Sequence, residues 1–350
     1  MIFAIALLVL LGLSLFYNLE AFAAKLFRRG LTPGSYSARV SGPRLEEVLR
    51  EDHDAVSKIA VIDLTGIITG AGFEQGGFSM VDVIKAQLKR AEEDDRVKAV
   101  ILKVDSPGGE VLASDDIYRA IGAFQQHSLK PVVASMGSVA ASGGYYVSAA
   151  CRWIVANELT ITGSIGVILS SWNYRGLMDK VGVRPETYKS GKFKDMLSGS
   201  REPGSITDEE RAMLQKLIND TYGRFTNVVQ EGRQKAYEKG KATHDEKARG
   251  RELNSNWPDY ADGRVLSGAD AFKLGFVDEL GGFNDAVERA HKLSGTARAN
   301  LIEYQLRYDF ADFFRIFGKS DAKALKIDLG MEVPKLQAGQ LYFLSPTFAH

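Results

Sequence analysis

The sequence predicts an α/β fold built on a mostly parallel sheet. From about Val56, short apolar runs of strand length alternate with amphipathic stretches of helix length. Segments rich in glycine and small residues fall where several of those strands end. That alternation is the signature of βαβ units. No internal repeat is visible, which excludes a tandem duplication.

Ile59–Ile62 reads as a buried strand, prolonged by Leu64 to Ile68. Ser79 is placed to cap a helix running to about Glu93. Val97–Val104 is the next apolar strand, Asp115–Gln126 a helix with Ile117, Ile121 and Phe124 on one face, and Val132–Ala134 another strand. Gly144–Ala150 is small and aromatic, suited to a buried helix. Thr207 and Glu210 form a capping box for a long helix that carries Leu214, Leu217, Ile218, Tyr222, Phe225 and Val229 at helical spacing. Gln234 to Asn256 is polar and reads as solvated loop or short helices. Phe310, Phe313, Phe314 and Phe317 form a stripe suited to core packing or a subunit contact.

The chain has 350 residues, enough for one large domain or two medium ones, and 45% of them are apolar, enough to bury a sizeable core. Its formal net charge of zero argues against a nucleic-acid binder, which would carry a basic excess. Cys151 is the single cysteine, so neither an intramolecular disulfide nor a cysteine-based zinc site is expected. Met1–Tyr17 is uncharged and almost wholly apolar, and Ala21–Ala24 lengthens the run, so residues 1–24 are expected to form a membrane anchor. Ala21-Phe22-Ala23 also fits a signal-peptide cleavage site. Lys25, Arg28 and Arg29 follow the run and nothing basic precedes it, which by the positive-inside rule places the main domain in the cytoplasm. Residues 25–55 are expected as linker and amphipathic flank, 56–295 as the main domain, and 296–350 as a C-terminal extension making oligomer or membrane contacts.

Three small-residue segments come after predicted strands: Asp105-Ser106-Pro107-Gly108-Gly109, Ala140–Tyr146 and Thr162–Val167. In open α/β sheets ligands gather beyond the carboxyl ends of strands, so the three loops are expected to converge. Gly108 and Gly109 allow backbone N–H groups to point outward as an oxyanion hole. Ser142 stands between Ala141 and Gly143, with nothing bulky to shield its hydroxyl, and the Gly143 N–H would be a second donor. Serine needs a base. His53, His127, His244, His291 and His350 all lie outside these segments, and no G-x-S-x-G elbow is present. The stretch Tyr188–Leu197 offers Lys189, Lys192 and Lys194, which residue chemistry alone cannot rank.

Together the segments DSPGG (Asp105–Gly109), ASGGYY (Ala141–Tyr146), TGSIGV (Thr162–Val167), KSGKFKDM (Lys189–Met196), SRE (Ser200–Glu202) and the run Asp262–Gly282 resemble the signal peptide peptidase A family of the short, single-copy bacterial type. The resemblance covers about Ile59 to Ala290. It implies a ClpP/crotonase-like fold of repeated ββα units behind an N-terminal transmembrane helix, and a serine peptidase with a Ser/Lys dyad. It assigns Ser142 as nucleophile, Lys194 as base, Gly109 with Gly143 as oxyanion hole, and Ser164 as support for the lysine. It implies no metal and no cofactor. Hydrophobic peptides such as cleaved signal peptides are the implied substrates. A homo-oligomeric ring, in which serine and lysine can come from neighbouring subunits, is implied too. The implied location is the bacterial inner (cytoplasmic) membrane, with the catalytic domain on the periplasmic side, opposite to what Lys25, Arg28 and Arg29 suggest. The alternatives are a related peptidase processing membrane proteins and a crotonase-type acyl-CoA enzyme.

Overall fold

Parallel β-sheets are buried on both faces, so their strands read as unbroken apolar runs. The computed structural model, which describes residues 42–71, 78–242, 250–307 and 341–344, obeys that rule. Its strands are β1 (Leu45–Glu51), β2 (Lys58–Thr65), β3 (Val97–Ser106), β4 (Gly108–Glu110), β5 (Val132–Ala141), β6 (Trp153–Ala156), β7 (Ile161–Gly163), β8 (Val265–Ser267), β9 (Glu279–Leu280), β10 (Asn300–Leu306) and β11 (Tyr342–Leu344). Its helices are α1 (Met80–Glu93), α2 (Val111–Ser128), α3 (Gly143–Ser148), α4 (Arg175–Lys180), α5 (Asp208–Ala242), α6 (Gly268–Lys273) and α7 (Phe283–Ser294).

The main sheet runs β1-β10-β2-β3-β5-β6-β9, with β7 and β8 attached to the end of β5. From β10 to β9 every neighbouring pair along this order is parallel, and β1 closes the edge antiparallel to β10. One face packs Ala60, Ile62, Val100, Leu102 and Val132 against helix residues such as Ile84, Ile117 and Phe225. The other packs Ile59, Ile101, Val133 and Val155 against Ala286 and Ala290 of α7. Adjacent residues thus serve opposite faces, which is why the strands lack polar alternation.

Both predicted caps form. Ser79 and Asp82 make a capping box at α1, and the Glu210 carboxylate accepts from the N–H and hydroxyl of Thr207 at α5. Other boundaries differ from expectation. α2 begins at Val111 rather than Asp115, directly after β4. Its N-cap Glu110 makes no cap hydrogen bond, because its carboxylate instead accepts from Thr69 Oγ1 and Gly70 N. α5 continues through Gln234 to Ala242, where loop or short helices were expected. Buried Arg233 pairs there with buried Asp278, and Asp278 also accepts from Ile154 N and Arg251 N. Leu45–Glu51 falls in the stretch expected as linker yet pairs with β10, and β10 itself lies past residue 295. The sheet therefore reaches beyond 56–295 at both ends. Cys151 is buried against the same core, and desolvation pushes its thiol far above the ordinary range.

The expected anchor over residues 1–24 and the Phe310–Phe317 stripe lie outside the described residues. Among the described residues no helix is long and apolar enough to cross a membrane.

Candidate active site

β5 delivers the serine by changing partners. Val133–Met136 pair with β6, whereas Val139–Ala141 pair with β7. Asp105 secures the switch by accepting from Val139 N at 3.0 Å, and Thr162 Oγ1 donates to Ala140 O at 2.7 Å. Ser142 then stands between strand and helix with φ 53° and ψ −116°. Such a conformation costs a residue with a side chain roughly 1–3 kcal/mol. Two hydrogen bonds hold it: Ser142 N–H donates to Gly163 O, and Tyr146 N–H donates to Ser142 O, each at 2.8 Å. Ser142 is fully buried, and its Oγ has no hydrogen-bond partner among the described residues.

The glycines of the 105–109 loop pack directly against this turn. A methyl group on Gly143 would lie 2.7 Å from Ser114 Oγ and 3.1 Å from Gly109 N. Gly108, at φ +104°, donates its N–H to Ser106 Oγ. A side chain there would lie 1.9 Å from the carbonyl oxygen of Phe343 and 2.6 Å from Gly143 N. Phe343 belongs to β11, which runs antiparallel to β4 with Phe343 opposite Gly109. On its other side β11 bridges to Ile168 through Tyr342. An extended segment therefore lies along the glycine strand. The Phe343 ring is buried against Tyr146 and Phe225, with centroids 4.9 and 4.6 Å away. Ser164, also buried, comes directly after Gly163 with φ 50° and donates its N–H to Arg264 O. It lines a cleft of about 400 Å³ with Ile165, Val167, Ile168, Ile218 and Tyr222.

Ser142, Gly109 and Gly143 are thus brought to one place, with Ser164 one residue beyond the carbonyl that holds Ser142, and Lys194 is not bonded to them. Lys194 lies in an exposed turn of the lobe 168–206, which also carries exposed Trp172, Leu177, Val181 and Tyr188. The three candidate lysines, Lys189, Lys192 and Lys194, are no longer equivalent. Lys189 Nζ donates to Asp195 at 2.7 Å, and Lys192 Nζ to Glu209 at 2.6 Å. Lys194 has no carboxylate partner among the described residues. None of the described histidines takes its place: His53 pairs with Glu51, His127 with Glu92, and His291 Nδ1 contacts Thr296 O.

A knot behind α3 has no counterpart in any sequence pattern. Asp115 of α2 accepts from Tyr146 OH of α3 at 2.6 Å and from Arg224 of α5 at 3.1 Å. Burial alone would raise the Asp115 carboxyl, but these hydrogen bonds, with one from Arg119, hold it below the ordinary range. In sequence Asp115 looks like any acid on a solvated helix, and nothing singles it out. The 105–109 loop stands out for its glycines, while the staple made by Asp105 carries no local signature.

Residues 124–297 match the family model for peptidase family S49, and residues 74–156 that for Clp protease. A putative signal peptide peptidase SppA of Enterococcus faecium is 36% identical over 265 residues, covering 74% of this chain and 70% of that protein. This chain belongs to peptidase family S49. A putative protease of Synechocystis is 41% identical over 238 residues, covering 68% of the S49 chain and 75% of the relative. Protease 4 of Haemophilus influenzae is 35% identical over 69% of this chain but only 36% of its own length. The S49 chain is accordingly a serine protease with a Clp protease-like α/β domain.

Proposed function

We propose that this S49 peptidase is a membrane-bound endopeptidase that hydrolyses hydrophobic peptides, cleaved signal peptides among them, through a Ser142/Lys194 dyad. The observation that carries the reading is the Ser142 turn: a strained, buried serine whose hydroxyl has no partner among the described residues, packed against Gly108 and Gly109 through Gly143. Strain held by surrounding bonds at such a turn is a mark of a working site. Lys194 is favoured as base because its amine is not tied up by a carboxylate, whereas Lys189 and Lys192 are. The placement of β11 along β4 supports an extended peptide as substrate. The largely apolar cleft beside Ser164 supports hydrophobic side chains.

In this mechanism the neutral amine of Lys194 takes the proton of Ser142 Oγ as that oxygen bonds to the substrate carbonyl carbon. The carbonyl π pair moves onto oxygen, where the Gly109 and Gly143 N–H groups receive it. Such donors are worth about 3 kcal/mol each. The lysine ammonium returns the proton to the departing amine as the C–N bond breaks. Water, deprotonated by the same amine, then opens the acyl-enzyme to a carboxylic acid and frees Ser142. Ser164 steadies the lysine. No metal or cofactor takes part.

The active form is a homo-oligomeric ring in which one subunit's lysine lobe reaches its neighbour's serine. The exposed Trp172, Leu177, Val181 and Tyr188 of that lobe support a contact between copies, as does the lack of a Ser142–Lys194 bond within one chain. The N-terminal segment anchors the ring in the inner membrane with the catalytic domain on the periplasmic side. The purified, assembled protein should cleave an apolar fluorogenic peptide and be labelled at Ser142 by a fluorophosphonate. Ser142→Ala and Lys194→Ala should each lose cleavage while still assembling, and full activity in either variant would overturn the dyad.

A further inference from the structure

Five carboxylates in the lysine lobe and the adjoining first turn of α5 are already taken by cations other than Lys194. Arg175 pairs with Asp179 and Glu202. Lys192 pairs with Glu209. Asp195, the chain neighbour of Lys194, is held by Lys189 at 2.7 Å and faces Arg201 at 3.6 Å. Arg201 reaches on to Glu210 with both terminal nitrogens, at 2.5 and 3.3 Å. Glu210 is buried and also caps α5 through Thr207. Glu186, which accepts only from Tyr188 OH, and Asp208 are left without an ion pair among the described residues, as are the cations Lys180, Arg184, Lys194 and Arg211. Burial does not explain the pattern, since Lys189 and Lys192 are exposed as well.

A free carboxylate beside an amine favours the ammonium form, which cannot act as a base. We propose that Lys189 and Arg201 are positioning residues that together withhold Asp195, the chain neighbour of Lys194, from the Lys194 amine. This rests on the dyad reading and adds a role for the SRE and KSGKFKD segments. Arg201 does so by geometry. Its fork bonds Glu210 in the first turn of α5 while its charge faces Asp195 at 3.6 Å, tying the lysine turn to that helix. Lysine at position 201 could hold only one of the two contacts well.

The experiment measures the rate of Ser142 labelling by a fluorophosphonate on the assembled full-length protein, between about pH 6 and pH 10, the range in which perturbed amines titrate. Arg201→Gln should move the midpoint of the labelling profile upward by about one pH unit, in the manner of an amine given a carboxylate neighbour. Arg201→Lys should move it less, and adding Asp195→Asn to Arg201→Gln should bring it back. Lys189→Gln changes an exposed side chain whose amine holds Asp195 at 2.7 Å, and should give an upward shift of similar size. This keeps the idea testable if Arg201→Gln unfolds. Lower labelling with an unmoved midpoint in both Arg201→Gln and Lys189→Gln would reduce these residues to structural struts and end the proposal. Lys194→Ala separates the two levels. Wild-type labelling there removes the dyad and this inference with it, whereas a dead Lys194→Ala beside unmoved midpoints removes the inference alone.

Discussion

The two halves of the candidate site are held in place by different physics. The serine half is covalently short and sterically full: Ser142, Gly143, Gly144, Tyr145 and Tyr146 are all buried, and its glycines leave no room for a methyl group. The lysine half lies on an exposed lobe whose order comes from ion pairs and turns, with little apolar burial. Close packing fixes atoms to fractions of an ångström within one chain. Ion pairs at a surface are weak and exchangeable, which suits a part proposed to dock on another copy. The serine half is therefore finished within the subunit, while in the proposed ring the lysine half awaits assembly.

The sharpest way to break that contrast is to divide the dyad between chains. Ser142→Ala and Lys194→Ala should each lower kcat by roughly 10⁴-fold or more. Co-assembling the two inactive variants should restore a measurable share of peptide cleavage, and a mixture as dead as its parts would mean both groups act within one subunit. On the packed half, Asp278→Ala strands buried Arg233 and two backbone amides, and should cost about 3–5 kcal/mol in urea unfolding. Gly143→Ala should lower kcat by about 10²-fold or more through its clash with Ser114 and Gly109, with KM for a fluorogenic peptide little changed.

The stability of the lysine half should answer to pH and hardly to the loss of an exposed ion pair. The Arg201 guanidinium, and after it the backbone N–H of Thr207, holds the Glu210 carboxyl down to about 2 from its ordinary 4.5. A depressed carboxyl stabilises the fold above its unfolded value and loses that contribution as pH falls through its folded value. Acid unfolding monitored by circular dichroism should therefore show a stability loss between pH 4.5 and 2 that Glu210→Gln lacks. Lys192→Gln removes an exposed pair, and should change stability by less than about 1 kcal/mol.

The same contrast explains what can be read from sequence. Buried parallel strands announce themselves as apolar runs, so β2, β3 and β5 are legible, as are the caps at Ser79 and Thr207. Ser142 stands out because small residues surround it. Strand β1 is not legible because one face of it is solvated and its partner β10 lies some 250 residues away, a pairing no local pattern encodes. The end of α5 is hidden because a single buried arginine holds it. Among Lys189, Lys192 and Lys194, the family resemblance chooses and composition cannot. What distinguishes them is which carboxylate each one meets, and that depends on how α5 approaches the lobe.

Cys151 has a practical consequence. As the chain's one thiol, sealed in the core with its pKa driven up, it should be inert to maleimides in the folded protein. Cysteines introduced at Trp172 or Tyr188 would then be the sole reactive handles. A bifunctional cross-linker could test for adjoining lobes in the proposed ring without first stripping the native sulfur.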